Sequence, residues 1–167
     1  PLFNDYNWFL LEGPYIVNDD PERRSWSYET EPNKWAYKEP KRIIETFFNE
    51  EVFKQFKSTE VYVIGFSLGA LVCYEYICSM PQPFGGIFPI SGFMKDNKMK
   101  LHPNQITTPI IIGHGNKDNV VLPTKSKEAY QFLREKKANV ELINYDAQHN
   151  ISVKMLTIIA KKIKNDT

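Results

Sequence analysis

Three polar side chains that could cooperate in nucleophilic catalysis lie near the ends of three separate apolar segments of the chain. Ser67 stands between glycines in GFSLG (residues 65–69), which matches the pattern G-x-S-x-G. Asp118 follows the segment TPIIIGHG, and His149 follows VELINYDA. A serine hydroxyl is a weak nucleophile that needs a base, and the base needs an acid to orient it. The order serine, acid, histidine therefore predicts a triad with Ser67 as nucleophile, Asp118 as acid and His149 as base.

The glycines beside the serine are expected for steric reasons. A serine presented at a sharp turn from strand to helix leaves little room for neighbouring side chains, so Gly65 and Gly69 would permit the turn. The helix that follows would supply backbone N–H groups, and that of Leu68 would help to hold an oxyanion. The stretch could instead be a small-residue junction between a buried strand and a buried helix, but the acid and the histidine after later strands favour the catalytic interpretation.

Other carboxylates could take the role of the acid. Asp96 follows the next predicted strand after the serine, and Asp146 lies three residues before His149. Asp146 could equally be a surface carboxylate that closes its strand. Asp118 is preferred because it is the only carboxylate between its strand and the next predicted helix.

The chain has three histidines, so the alternatives for the base are few. His102 lies in the polar connection KMKLHPNQITT and is expected at the surface. His114 lies between two glycines at a strand end, where we expect it to support the loop structure rather than to take part in catalysis. His149 remains as the predicted base.

An alternation of strands and helices is predicted to position these side chains. VYVIGF is a continuous apolar run, typical of a parallel strand covered on both faces, and the helix LGALVCYEYICSM follows the serine. The other predicted strands are FGGIFPISGF, TPIIIGHG and VELINYDA, and the other helices are KRIIETFFNEEVFKQF, TKSKEAYQFLREKKA and ISVKMLTIIAKKIK. The pattern predicts a three-layer α/β/α sandwich with a mostly parallel sheet. Ligands bind at the carboxyl ends of such strands, where the three candidate residues would meet.

The N-terminal forty residues carry a different pattern. The aromatic and aliphatic run YNWFLLEG, which ends at Gly13-Pro14, is predicted to be a buried strand. Residues 18–40 are polar and rich in proline, with two tryptophans and two tyrosines. We expect a long irregular loop that has a functional role or is anchored by its aromatic side chains.

Composition limits the classes of function. The 167 residues, 42% of them hydrophobic, predict a single globular domain over residues 1–167. A net charge of +1 argues against nucleic-acid binding, and no apolar run is long enough for a membrane span. No residue spacing predicts zinc or a phosphate loop, so neither metal nor cofactor is expected. Cys73 and Cys78 are predicted to be buried thiols that form no disulfide, and a cytoplasmic location is expected.

These motifs give the chain a resemblance to the α/β-hydrolase superfamily. GFSLGA, ISGF, TPIIIGHGNKDNVVLP and the histidine before the last helix resemble the phospholipase/carboxylesterase group, especially its small FSH-type serine hydrolases. The resemblance implies the α/β-hydrolase fold, with Ser67 as nucleophile, His149 as general base and Asp118 as its orienting acid. It also implies that the N–H of Leu68 is an oxyanion donor.

The N-terminal part of the resemblance concerns the substrate pocket. FLLEGPY followed by RRSWSY is similar to a strand and an arginine-tryptophan pair in that group. This implies that Trp26 lines an acyl pocket, although Trp26 could instead pack the long loop. Phe66, beside the nucleophile, is also expected to bind substrate.

The chain departs from the group's pattern at three places. Leu68 replaces a glutamine, which leaves the backbone donor intact, and Ala147 and Gln148 replace a glycine that often precedes the histidine. The group's first strand, which ends in His-Gly and supplies the second oxyanion donor, has no counterpart before YNWFLLEG. Loss of one such donor costs about 10²–10³-fold in turnover. We therefore expect that a longer protein or a partner chain supplies this element, or that the chain is a degenerate relative.

Two functions of different classes remain. The first is a serine esterase or thioesterase that acts on a small-molecule substrate through an acyl-serine intermediate. The second is a catalytically impaired hydrolase-fold protein that serves as a scaffold or subunit of a larger assembly. The presence of a serine, an acid and a histidine in the required order favours the enzyme.

Overall fold

The computed structural model of the chain describes residues 3, 6–32, 34–95 and 99–165. The chain divides into two compact units, Phe3–Gln55 and Phe56–Thr167. The single domain expected from the sequence stays a prediction, because this division does not measure whether the two units unfold together.

The first unit contains two short antiparallel hairpins where the sequence predicted an irregular loop. Its strands are β1 (Tyr15–Val17) paired with β2 (Asp20–Ser25), and β3 (Glu29–Glu31) paired with β4 (Lys34–Trp35). Asn18 and Asp19 connect β1 to β2 with φ angles of 53° and 57°. Asn and Asp tolerate this conformation, which two-residue hairpin turns require. The Asn-Asp pair is the sequence signal that could have predicted the first hairpin.

A helix closes the first unit as the sequence predicted. α1 (Lys38–Phe47) continues into a π-helical turn, Phe48–Val52. Ile44, Phe48 and Val52 are buried. Their spacing of four residues places them on one face, which confirms the predicted amphipathic helix.

The strand predicted for YNWFLLEG is wrong. Residues 6–13 form no regular secondary structure. Trp8 and Leu10 are 54% and 89% exposed. A strand requires a neighbouring strand to satisfy its backbone N–H and C=O groups, and an apolar run alone does not provide one.

The second unit is built on a four-stranded parallel sheet with the order β5-β6-β7-β8. These strands are Tyr62–Phe66, Gly86–Ile90, Ile110–Gly115 and Val140–Tyr145. At their carboxyl ends, Phe66 is in register with Ile90 and Gly115 with Tyr145. Ser67, Asp118 and His149 therefore follow strands that end at the same edge of the sheet, as predicted.

The strands differ in burial. Every residue of β6 and β7 is buried, whereas β5 is half-buried at all of its positions except Gly65. β5 ends the row of strands that the described residues form. The expectation that VYVIGF is covered on both faces is therefore met only in part.

Three helices pack on this sheet. α2 (Leu68–Glu75) contacts β5 and β6, α3 (Pro123–Glu135) contacts β7 and β8, and α4 (Val153–Asn165) contacts β8. The helix predicted for LGALVCYEYICSM ends at Glu75 and is followed by a 3₁₀ turn, Ile77–Ser79. In the part of the chain that the structure describes, no helix is both long enough and apolar enough to cross a membrane.

Candidate active site

Ser67 occupies the turn between β5 and α2. Its backbone has φ 54° and ψ −113°, a combination that an L-residue adopts only at a cost in free energy. A Cβ on Gly65 would lie 2.2 Å from the backbone oxygen of Gly69 and 2.7 Å from Sγ of Cys73. Only glycine fits at position 65, so strand and helix can approach closely on either side of Ser67.

The second glycine of the motif has a different environment. A Cβ on Gly69 would meet no atom within 4 Å. The expectation that the tight turn requires glycine at both positions is thus correct for Gly65 and wrong for Gly69. The reason is that Gly65 faces the backbone of the helix, whereas position 69 opens onto free space.

His149 lies in the loop between β8 and α4, with its ring next to Ser67. Its Nε2 is 3.1 Å from Oγ of Ser67. The ring of Phe66 packs against the imidazole with 4.8 Å between the ring centres. The hydroxyl of Tyr145 donates to the carbonyl of Asn150 at 3.0 Å and so fixes the chain just beyond the histidine.

The loop before His149 is held without the glycine that the resemblance led us to expect. A Cβ on Gly115, at the end of β7, would lie 2.4 Å from the carbonyl oxygens of both Ala147 and Gln148. The N–H of Lys117 donates to the oxygen of Ala147 at 2.9 Å. The close approach is therefore made by a glycine on the neighbouring strand.

Asp118 completes a hydrogen-bonded row with these two residues. Its carboxylate is fully buried, and Oδ2 accepts from Nδ1 of His149 at 2.8 Å. Because a carboxylate accepts, Nδ1 carries the hydrogen and Nε2 is left to accept from Ser67. Oδ1 accepts the N–H groups of Val120 and Val121, both at 2.9 Å.

The surroundings of Asp118 keep it ionised. Burial alone would raise its pKa, but the hydrogen bond from His149, the two backbone N–H groups and the charge of an imidazolium at position 149 together outweigh burial. The pKa of Asp118 is therefore lower than usual. A negative carboxylate on the far side of the imidazole stabilises a positive charge on that ring.

The rival candidates that the structure describes, Asp146 and His102, are not in this row. Asp146 is exposed and pairs with Lys117 at 2.6 Å, so it is a surface carboxylate, while Asp96 lies outside the described residues. His102 is half-buried, and its Nδ1 accepts the N–H of Asn104 at the start of a 3₁₀ turn.

The remaining predicted site residues occupy different places. Leu68 is the first residue of α2, where backbone N–H groups have no acceptor within the helix. Phe66 contacts His149 as described, whereas Trp26 is buried within the first unit. Nothing in these positions tests substrate binding, which stays a prediction for both aromatic residues.

The sequence predicted that His114 supports its loop, but not that the ring lies beside Asp118. The His114 ring is buried at the end of β7, and its Nε2 lies 3.2 Å from Oδ2 of Asp118. The Gly-His-Gly sequence marks a close approach of backbone but does not reveal where the imidazole points. Within the described ranges, no group of three or more His, Cys, Asp or Glu side chains is placed to hold a metal ion.

Comparison with known proteins shows which family the chain is similar to. A family model described as phospholipase/carboxylesterase matches residues 8–166. Acyl-protein thioesterase 1 of Saccharomyces cerevisiae is 37% identical over 94 residues, which are 53% of this chain and 41% of that protein. A probable carboxylesterase of Oryza sativa subsp. japonica is 27% identical over 126 residues, 73% of this chain and 47% of that protein.

A solved structure is similar over most of the chain. The crystal structure of SOBER1 from Arabidopsis thaliana has a TM-score of 0.72 at 25% identity, and the match covers 86% of this chain and 74% of that one. The matches span less than half the length of each of these two curated relatives.

Proposed function

The chain belongs to the phospholipase/carboxylesterase family, and from this membership we propose that it hydrolyses carboxylic esters or thioesters through an acyl-serine intermediate. The hydrogen-bonded row of Ser67, His149 and Asp118 is the observation that carries the proposal. The fold class predicted from the sequence is confirmed, because four parallel strands with helices form an α/β-hydrolase fold like that of the matching structure. The narrower resemblance to FSH-type hydrolases stays a prediction.

In the proposed reaction, Oγ of Ser67 forms a bond to the substrate carbonyl carbon while Nε2 of His149 takes its proton. The carbonyl π electrons move to the oxygen, and Asp118 pairs with the imidazolium. Collapse of the tetrahedral intermediate breaks the bond to the leaving alcohol or thiol, which receives the proton from His149. Water then attacks the acyl-serine by the same steps, which releases the carboxylic acid and restores Ser67.

The oxyanion would be held in part by the N–H of Leu68, because the first turn of a helix presents unpaired N–H groups and the positive end of the helix dipole. We further propose that the second donor comes from a segment or a partner chain beyond these 167 residues. Phe66 and Trp26 are proposed to contact the acyl group of the substrate.

The names of the relatives point to two substrate classes, esters and acyl thioesters. The sharpest test is labelling with a fluorophosphonate, together with hydrolysis of nitrophenyl esters and acyl-coenzyme A thioesters. We expect the protein to be labelled and active. Ser67→Ala should lose labelling and nearly all hydrolysis, with kcat lower by about 10⁶-fold. Ser58→Ala, which changes a serine of a separate 3₁₀ turn, should keep both properties.

The opposite result would identify the alternative function. A protein that is folded by circular dichroism but is neither labelled nor active would contradict the proposal. It would instead support a scaffold or subunit with a hydrolase fold. Equal labelling of the Ser67→Ala variant would place the reactive nucleophile elsewhere in the chain.

A further inference from the structure

Asp118 lies between two imidazoles rather than one. Oδ2 accepts from Nδ1 of His149 on one side, and Nε2 of His114 lies 3.2 Å from the same oxygen on the other. The His114 side chain is fully buried, so water does not compete for its polar atoms. The catalytic proposal assigns no role to this second ring.

The neighbours of His114 fix its tautomer. Nε2 lies 2.8 Å from the carbonyl oxygen of Val121, which can only accept, so Nε2 carries a hydrogen. Nδ1 lies against the hydroxyl of Ser126 on α3, which can donate to it. With the Ser126 hydroxyl as the donor to Nδ1, the imidazole is neutral and carries its hydrogen on Nε2.

The hydrogen bond from His114 to the carbonyl of Val121 fixes the loop segment whose N–H groups hold the carboxylate of Asp118. The N–H of Val121 donates to Oδ1 of Asp118, and the carbonyl of Val121 accepts from His114. Val121 is thus fixed at both its N–H and its carbonyl. With the N–H of Val120 also on Oδ1, the carboxylate cannot rotate without breaking hydrogen bonds, and Oδ2 stays directed at His149.

A neutral ring suits this position. The polar N–H edge beside Oδ2 favours the ionised carboxylate, but it adds no full positive charge. A second imidazolium at Oδ2 would compete with His149 for the negative charge that must stabilise the protonated base.

We infer that His114 is a positioning residue for the triad, which holds Asp118 in the orientation that His149 requires. The inference rests on the proposed hydrolase function for its kinetic consequences. Its structural consequence, the state of the hydrogen bond between His149 and Asp118, does not depend on catalysis. The two can therefore be tested separately.

Two variants separate the effect of the N–H donor of His114 from the effect of the space that its ring fills. His114→Gln keeps an N–H donor that can reach the carbonyl of Val121, whereas His114→Leu fills similar space without a donor. His102→Gln is the matched control, because the ring of that histidine accepts a hydrogen bond from Asn104 at a separate turn. For His114→Leu we expect kcat to fall roughly 10- to 100-fold with KM within about twofold, because a small misplacement of catalytic groups can cost about 10²-fold. His114→Gln should recover most of the loss.

Side-chain ¹H–¹⁵N spectra of histidine supply the measurement that is independent of activity. With only three histidines in the chain, each ring can be assigned by single substitutions. The wild-type protein should show His114 as the neutral Nε2–H tautomer and a slowly exchanging Nδ1–H on His149. In His114→Leu the Nδ1–H signal should exchange faster, while His114→Gln and His102→Gln should keep it.

Several results would overturn the inference. These are a charged or Nδ1–H form of His114 in the wild-type protein, an unchanged kcat and Nδ1–H signal in His114→Leu, or an equal loss in His114→Gln and His114→Leu. If His114→Leu does not fold, the tautomer of His114 in the wild-type protein and the result for His114→Gln still test the inference. If the wild-type protein hydrolyses nothing while the Nδ1–H signal depends on His114, the proposed function fails and the positioning role stands.

Discussion

Ser67 must supply a hydroxyl within reach of His149 from a backbone conformation that suits glycine better than serine. With φ 54° and ψ −113°, the residue is strained in a way that costs on the order of 1–3 kcal/mol. The strain is maintained by the strand and helix on either side, whose close approach is possible because position 65 is glycine. Removal of the strain should therefore be measurable as a gain in stability.

Two substitutions at position 67 separate the catalytic effect of the hydroxyl from the effect of backbone strain on stability. Both Ser67→Ala and Ser67→Gly should abolish hydrolysis, but only glycine relieves the positive φ. After the extra chain entropy of glycine is subtracted, we expect Ser67→Gly to be more stable than Ser67→Ala by about 1 kcal/mol. Urea unfolding at neutral pH measures the difference. A Ser67→Ala variant as stable as Ser67→Gly would show that the turn is not strained.

The low pKa of Asp118 predicts a pH dependence of stability. A carboxyl group whose pKa is lower in the folded than in the unfolded chain stabilises the fold above its unfolded pKa, about 3.9, and this contribution is lost as the pH falls through the folded value. Asp118→Asn lacks the titrating group. We expect the wild-type advantage in the free energy of unfolding to shrink as the pH is lowered from about 5 to about 3. A gap that stays constant, or widens, would contradict the lowered pKa.

The sequence could predict the members of the row but not their surroundings. Ser67, Asp118 and His149 were identified from their order in the chain and from their positions after predicted strands. Both can be read from the sequence once the strand topology is assumed. In the structure the carboxylate of Asp118 is buried beside His149, whereas that of Asp146 pairs with Lys117 at the surface. The contact of His114 with Asp118 depends on a side-chain direction that no spacing encodes.

At the scale of elements, the strands and helices that bury apolar side chains were predicted, and the exposed elements were not. VYVIGF was predicted as a strand because its apolar run is continuous, and KRIIETFFNEEVFKQF as a helix because its apolar residues recur at helical spacing. The two hairpins of the first unit were missed because three of their strands have only two or three residues and the longest, β2, is polar. Turn chemistry rather than an apolar pattern specifies them. Residues 6–13 carry an apolar run that forms no strand, so the same rule gave a wrong result there.

The two glycines of the motif offer a matched pair for the turn between β5 and α2. Gly65→Ala puts a methyl group against backbone that cannot move aside, so we expect a loss of about 1–3 kcal/mol in stability and a displaced nucleophile. Gly69→Ala adds a methyl group in open space within a helix and should stabilise the protein by about 0.5–1 kcal/mol. Urea unfolding and fluorophosphonate labelling measure the two effects. Equal costs at both positions would contradict the geometry of the turn.

At the scale of the whole molecule, the two units differ in how much apolar surface they bury. Among the described residues of the first unit, the buried hydrophobic side chains are Trp26, Ile44, Phe48 and Val52, while most of the strand residues are exposed. The second unit holds an almost fully buried helix, α2, and the two buried strands β6 and β7. A unit of fewer than about 60 residues is only marginally stable on its own. The second unit should therefore be the more stable.

The chain carries a separate natural probe in each unit. All three tryptophans, at positions 8, 26 and 35, lie in the first unit, and both cysteines lie in the second. Cys73 and Cys78 are free and buried, as predicted. Burial raises the pKa of Cys73 well above its usual value and that of Cys78 to about 12. Because the thiolate is the reactive form, neither thiol should react with a disulfide reagent until the second unit opens.

Unfolding followed by both probes tests whether the chain is one cooperative domain. Tryptophan fluorescence and pulsed thiol labelling would be measured along the same urea gradient at about pH 8, where an exposed thiol with its ordinary pKa of about 8.5 reacts. We expect the fluorescence transition at a lower urea concentration than the onset of labelling, because the first unit has the smaller core. Two-state unfolding requires different probes to give coincident transitions. Coincident midpoints would contradict this expectation and support the single domain that the sequence predicted.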